Sequence, residues 1–121
     1  MPAWLLLLWS GLAAAGSAAI VAHAIGGVRR ASWSLAPLPR SRSHGAAWSL
    51  LAGTVAYPFG YGIAFELLHR ADVATGLALG ALHGAIMFAV ARRRGSTRAA
   101  LRTASAHLVY GAVIAFLYVT P

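Results

Sequence analysis

Four apolar stretches, each about as long as a bilayer is thick, constrain this chain more than any motif in it. A helix needs roughly twenty mostly apolar residues to cross about 30 Å of hydrocarbon. Stretches of that kind run over residues 3–25, 46–68, 73–91 and 99–119. They are continuous rather than alternating, which predicts helices and not barrel strands. The expected fold is therefore all-α: one integral membrane domain over residues 1–121, built as a bundle of four transmembrane helices. The first stretch has no positive charge before it and is too long for the apolar region of a cleaved signal peptide, so it reads as a retained span. Arg102 stands in the first turn of the last stretch, where its side chain is expected to snorkel toward the headgroups.

Composition narrows the function classes. The chain is 60% hydrophobic and 10% charged, whereas a soluble domain carries about a quarter charged residues. Cysteine is absent, which removes disulfides, thiolate metal sites and thiol nucleophiles. All ten basic residues are arginine, against one Glu and one Asp. Paired-carboxylate catalysis is excluded on that count.

The arginines also orient the chain. Arg29, Arg30, Arg40 and Arg42 fall between the first and second stretches, and Arg92, Arg93, Arg94, Arg98 and Arg102 between the third and fourth or at its margin. Only Arg70 lies on the other side. The positive-inside rule then puts both Arg-rich loops in the cytoplasm and both termini outside. Because topology accounts for nearly every arginine, the net charge of +8 does not call for nucleic acid. Residues 26–43 form the longest connection, with Trp33, Leu35 and Leu38 among the arginines and Pro37 and Pro39 against a long helix. An interfacial segment touching anionic lipid is the plainer expectation, and a docking surface for a protein partner the sharper one.

Packing signals follow from small residues. Gly76, Gly80 and Gly84 stand one turn apart on the third stretch, a smooth stripe where another helix can approach. Gly11, Ala15 and Ala18 or Ala19 make a weaker version on the first. Pro58 lies among Gly53, Gly60 and Gly62 and predicts a kink. Two short echoes suggest tandem helical hairpins. Gly11-Leu12-Ala13 matches Gly76-Leu77-Ala78, and Tyr61-Gly62-Ile63-Ala64-Phe65 matches Tyr110-Gly111 with Ile114-Ala115-Phe116.

Polar side chains inside hydrocarbon are costly and usually have a reason to be there. Counting about 1.5 Å per residue from each span's centre places His83, Tyr57 and Tyr110 near the midplane and His107 a turn to its cytoplasmic side, a central group that could face one another. The plainer reading is that they hydrogen-bond between helices. Neutral imidazole is also a tetrapyrrole ligand, which makes His83, His107 and His23 candidates for holding haem or another tetrapyrrole. His83 and Met87, four apart, form a candidate soft-metal pair. Tyr57, Glu66 and Tyr110 form a candidate polar path for a proton or small solute. Glu66 precedes Arg70 by four residues, the favourable order for an ion pair, and Asp72 is placed to cap the third span.

The run Pro58-Phe59-Gly60-Tyr61, the segment from Gly76-Leu77 to His83, and His107-Leu108-Val109-Tyr110-Gly111-Ala112-Val113 resemble patterns in uncharacterised small four-helix bacterial inner-membrane proteins. That resemblance covers about the last two thirds of the chain and implies the same architecture and an inner-membrane location, with no activity attached. Small multidrug-resistance exporters would need a Glu in the first span, fluoride channels an intramembrane Asn, and four-span redox proteins cysteine pairs; none of these is present. The leading expectation is an accessory, structural or assembly subunit of a membrane complex, or a homo-oligomer. Cofactor binding and transport are the alternatives.

Overall fold

A computed structural model describes residues 2–26, 48, 50–94 and 96–119. Its described elements are all helical. They are α1 (Ala3–Gly26), a π-helical segment (Ala52–Ala56) leading into α2 (Tyr57–Leu68), α3 (Val73–Arg94) and α4 (Thr97–Val119). Three of the helices are long and apolar enough to cross a membrane, over Ala3–Ile25, Val73–Arg93 and Thr97–Tyr118. The α-helical part of the second has 12 residues and rises only about 18 Å. Large apolar side chains lie exposed on every helix, among them Trp9, Ile20, Leu67, Leu82 and Phe116. In water such a surface would be a severe liability; against acyl chains it is the expected exterior.

The π-helical segment is where Pro58 makes itself felt. A proline has no N–H to give, so the turn before it must surrender a backbone bond. Here the helix widens, and the N–H of Tyr57 reaches back to the carbonyl of Ala52, five residues earlier. Neither Tyr57 nor Pro58 then serves the Gly53 carbonyl along the helix. The expected kink therefore takes the form of a π-bulge.

Glycine sets how closely the helices approach. α3 and α4 form a tight antiparallel hairpin. A methyl group at Gly80 would lie 2.8 Å from the carbonyl oxygen of His107, and one at Gly84 would lie 2.8 Å from that of Ala104. Gly76 packs on Gly111 and Ala115. α4 also packs along α1, whose Ala14, Ala18 and Ala22 are fully buried and share a core with Ala106, Tyr110 and Ile114. Gly11 faces Gly53, Thr54 and Pro58, so α1 crosses at the bulge. α4 is thus the central helix, with α3 on one side and α1 on another, and the π-helical segment and α2 pack mainly on α1. Contacts between α2 and α3 are sparse, which leaves a cleft between them.

Turn chemistry closes the helices. α2 ends at Leu68 in a Schellman arrangement: the N–H of His69 donates to Glu66 and that of Arg70 to Phe65, with His69 left-handed at φ 50°. The Asp72 carboxylate accepts from the N–H of Thr75 at 2.7 Å and caps α3. Ser96 caps α4 through the N–H of Ala99, and Arg92 donates to the Thr97 hydroxyl across the turn between α3 and α4. Gly62 packs on Leu7 while Gly11 packs on Pro58, so α1 and α2 are antiparallel. Tyr57 and Phe65 meet His107 and Tyr118 respectively, so α2 and α4 are parallel. The end of α1 and the turn between α3 and α4 consequently lie at the same end of the bundle.

Packing and turn geometry settle two arginines. Arg102 does not lie on the outer surface of the bundle: the residue is only 7% exposed. It shares a face with Ala106 and Tyr110, one and two turns on, and that face packs toward α1. Nor does Arg70 pair with Glu66. The left-handed His69 turns Arg70 off the helix, and its guanidinium lies 3.7 Å from Asp72 instead. Arg29, Arg30, Arg40, Arg42, Trp33, Leu35, Pro37, Leu38, Pro39 and His44 lie outside the described residues.

Candidate functional site: the histidine–tyrosine cluster

The polar centre is assembled by three helices. Tyr57, Tyr61 and Phe65 lie one turn apart on α2 and share a face. α3 brings His83, and α4 brings His107 and Tyr110. Their rings meet mostly edge to face. His83 and His107 have centroids 4.3 Å apart, Tyr57 and His83 4.5 Å, and Tyr57 and Tyr110 6.0 Å. Tyr61 lies 5.7 Å from Tyr110, and Phe65 stacks on Tyr118 at 5.7 Å. Each such pair contributes about 0.5–1.5 kcal/mol beyond area burial. The His107 ring is fully buried, with Nδ1 2.7 Å from the carbonyl of Thr103. A carbonyl only accepts, so Nδ1 carries the proton and donates. The Tyr110 hydroxyl donates to the Gly53 carbonyl at the π-bulge.

The cluster borders the cleft between α2 and α3, a groove of about 290 Å³. Tyr57, Tyr61 and His83 are its polar edge. Ala56, Gly60 and Ala64 line the α2 wall, and Leu79, Leu82 and Ile86 the α3 wall. Leu82 and Ile86 are also exposed on the outer surface, so the groove opens sideways.

Of the candidate tetrapyrrole ligands, His83 and His107 come together and His23 does not join them. His23 is exposed in the last turn of α1, about 18 Å of helix rise beyond Gly11. The convergent pair does not fit a macrocycle held between two histidines. With metal–nitrogen bonds of about 2 Å, two axial imidazoles hold their ring centres roughly 6 Å apart. The 4.3 Å edge-to-face approach leaves no such gap. Met87 is buried one turn from His83, adding one sulfur to one imidazole. Among the described residues no three His, Asp or Glu side chains gather to hold a metal ion.

The polar path is not assembled either. Tyr57 and Tyr110 share the cluster, but Glu66 is exposed on α2, nine residues and therefore half a helical circuit from Tyr57. Tyr61 and Phe65 belong to the cluster although neither was a candidate from the sequence. Their signal was the four-residue spacing Tyr57, Tyr61, Phe65, an aromatic stripe that only an inward-facing side of α2 would bury. No family model, no curated protein and no solved structure matches this chain.

Proposed function

We propose that this protein is a non-catalytic multi-pass membrane component, an accessory or assembly subunit of a membrane complex or a homo-oligomer. The observation that carries this reading is the use of its intramembrane polar groups. Tyr110 and His107 are bound to backbone carbonyls, His83 and Tyr57 pack ring against ring, and the single Glu lies on the far side of α2. Among the described residues, nucleophile, base and carboxylate are not brought to one place, as acid–base or nucleophilic catalysis would require.

In this reading the second stretch, with its π-bulge, crosses the bacterial inner membrane as a fourth span, and the chain forms two tandem hairpins. The parallel placement of Gly11 against the Pro58 region and of Gly76 against Gly111 and Ala115 supports that pairing. Both termini face outward, and the Arg-rich connections meet the cytoplasm and its anionic lipids. The lack of cysteine makes the topology simple to test. Ala71→Cys should react with a membrane-impermeant maleimide from outside intact spheroplasts, and Arg98→Cys only after permeabilisation. The reverse pattern overturns the orientation. Native mass spectrometry of protein extracted gently from its own membrane tests the role. A defined assembly larger than one chain is expected, and a monomer at every detergent concentration overturns it.

A further inference from the structure

The lipid-facing side of the α3–α4 hairpin carries a groove of about 370 Å³. Ala81, Ala85 and Phe88 line it from α3, and Ala104, Ser105 and Leu108 from α4. Ala81, Ala85 and Leu108 are exposed, so the groove opens to the hydrocarbon rather than the core. Helical spacing continues both walls into arginine. Arg92 follows Phe88 by one turn on α3, and Arg98 precedes Ser105 by two turns on α4. Both are exposed, and Arg92 donates to the Thr97 hydroxyl at 2.6 Å, which lays its guanidinium across to α4. A guanidinium has five N–H groups, so this bond places the charge without using it up.

The second observation is where the negative charge stands. Glu66 and Asp72 are the only acidic side chains in the chain. Asp72 caps α3 at its other end, 20 positions and about 30 Å of helix rise from Arg92. Glu66 lies in the last turn of α2, at that same far end. Neither carboxylate can neutralise Arg92 or Arg98. Their counter-charge comes from outside the chain, and the forked guanidinium suits phosphate. Length decides which phosphate. From Ala81 to Arg92 the helix rises about 16 Å, close to half of the roughly 30 Å of hydrocarbon. An acyl chain in the groove therefore runs from the middle of the bilayer to the headgroup level, where the arginines stand.

We propose that the lipid-facing groove of the α3–α4 hairpin binds one anionic phospholipid, with an acyl chain along the groove and the phosphate between Arg92 and Arg98. A free anion would need no groove, and an uncharged lipid no arginines. The site sharpens the contact with anionic lipid proposed above and rests on that reading only for its leaflet, the cytoplasmic one. Binding itself needs only the hairpin.

The test uses the full chain in phosphatidylcholine nanodiscs doped with phosphatidylglycerol that carries a nitroxide on its acyl chain. Magnetic resonance reads the broadening of backbone amides. At Ala85 and Ser105 the anionic label should saturate with about tenfold preference over the same label on phosphatidylcholine. Ile63, exposed on α2, should not distinguish the two. Arg98→Gln should cut the preference to about a third or less. Arg93→Gln removes the same charge from an exposed position one step round the helix, off the groove, and should leave it intact. Ala85→Leu fills the groove and should remove the preference with both arginines in place. No preference, equal losses in Arg93→Gln and Arg98→Gln, or a preference untouched by Ala85→Leu each overturns the proposal. If the groove amides instead contact a second chain and exclude the label, the groove is a helix-docking surface and the proposal also fails. A nanodisc exposes both faces, so a reversed orientation in the cysteine labelling would change the leaflet and leave this result standing.

Discussion

The Tyr110 hydroxyl donates to the backbone carbonyl of Gly53, a residue 57 positions earlier in the chain. That carbonyl needs an outside donor because of its local sequence: Tyr57 gives its N–H to Ala52, and Pro58 has none to give. The bond therefore joins the central helix to the irregular part of α2, and replaces within the membrane what the proline removed.

Tyr110→Phe keeps the ring and its edge contacts with Tyr57 and Tyr61 but leaves the buried Gly53 carbonyl without this donor. Loss of about 0.5–2 kcal/mol of stability is expected, in line with interhelical bonds in membranes. Reversible unfolding in mixed micelles reads it. A variant as stable as the parent would show that the carbonyl has another donor in the bilayer.

The glycines should divide into two groups. Gly80→Ala sets a methyl 2.8 Å from the His107 carbonyl and 3.1 Å from that of Leu108, between two helix backbones that cannot both give way. Gly11→Ala meets the Thr54 and Gly53 carbonyls at 2.9 and 3.0 Å. Overpacking of this kind costs about 1–3 kcal/mol. At Gly16 and Gly60 a methyl meets nothing, and the same change should be neutral or stabilise by up to about 1 kcal/mol through helix propensity. Equal effects at all four positions would contradict the helix order described above.

Asp72 gives the pH dependence. Its carboxylate accepts hydrogen bonds from Thr75, chiefly from the backbone N–H, with Arg70 nearby, and these hold its pKa below the ordinary carboxylate value. A depressed folded-state pKa means stability that is present above the unfolded value, about 3.9, and lost as pH falls through the folded one. Asp72→Ala should lower the unfolding midpoint at neutral pH. Asp72→Asn, an equally good cap, should hold the neutral midpoint and lose less stability than the parent on acidification. An acid profile identical in parent and Asn variant would rule Asp72 out as the titrating group.

The ring geometry of His83 and His107 makes an optical prediction. Protein purified gently from its native membrane should show no spectrum of a haem ligated by two histidines, because no macrocycle fits between rings 4.3 Å apart. A reducible Soret band lost in His83→Ala but retained in His107→Ala would instead place a tetrapyrrole on His83 alone.

Much of the architecture was legible because its signals are local. The apolar runs marked three helices that the fold contains, with boundaries within a few residues, and the Pro58 kink and Asp72 cap could be read from single residues. The glycine spacing showed which face of α3 was smooth, but not that α4 would lie on it. That Arg102 is buried could not be read from its place in the sequence, because which face of α4 turns into the bundle depends on helix packing. The Glu66–Arg70 pairing failed at one residue: a left-handed His69 ends the helix before the four-residue spacing can act.

The sequence by itself determined that this chain makes apolar helices of membrane length with arginine gathered at one set of connections, since run length and charge placement act residue by residue. The tertiary structure alone decided that α4 is the central helix, that His83 meets His107, that Glu66 stands apart, and that Tyr61 is buried at the edge of a cleft without an acceptor. Those outcomes depend on helix rotation and order. In a chain this rich in Ala, Gly and Leu, many rotations bury nearly the same apolar area. Backbone approach at a few glycines, and one carbonyl released by a proline, decide among them.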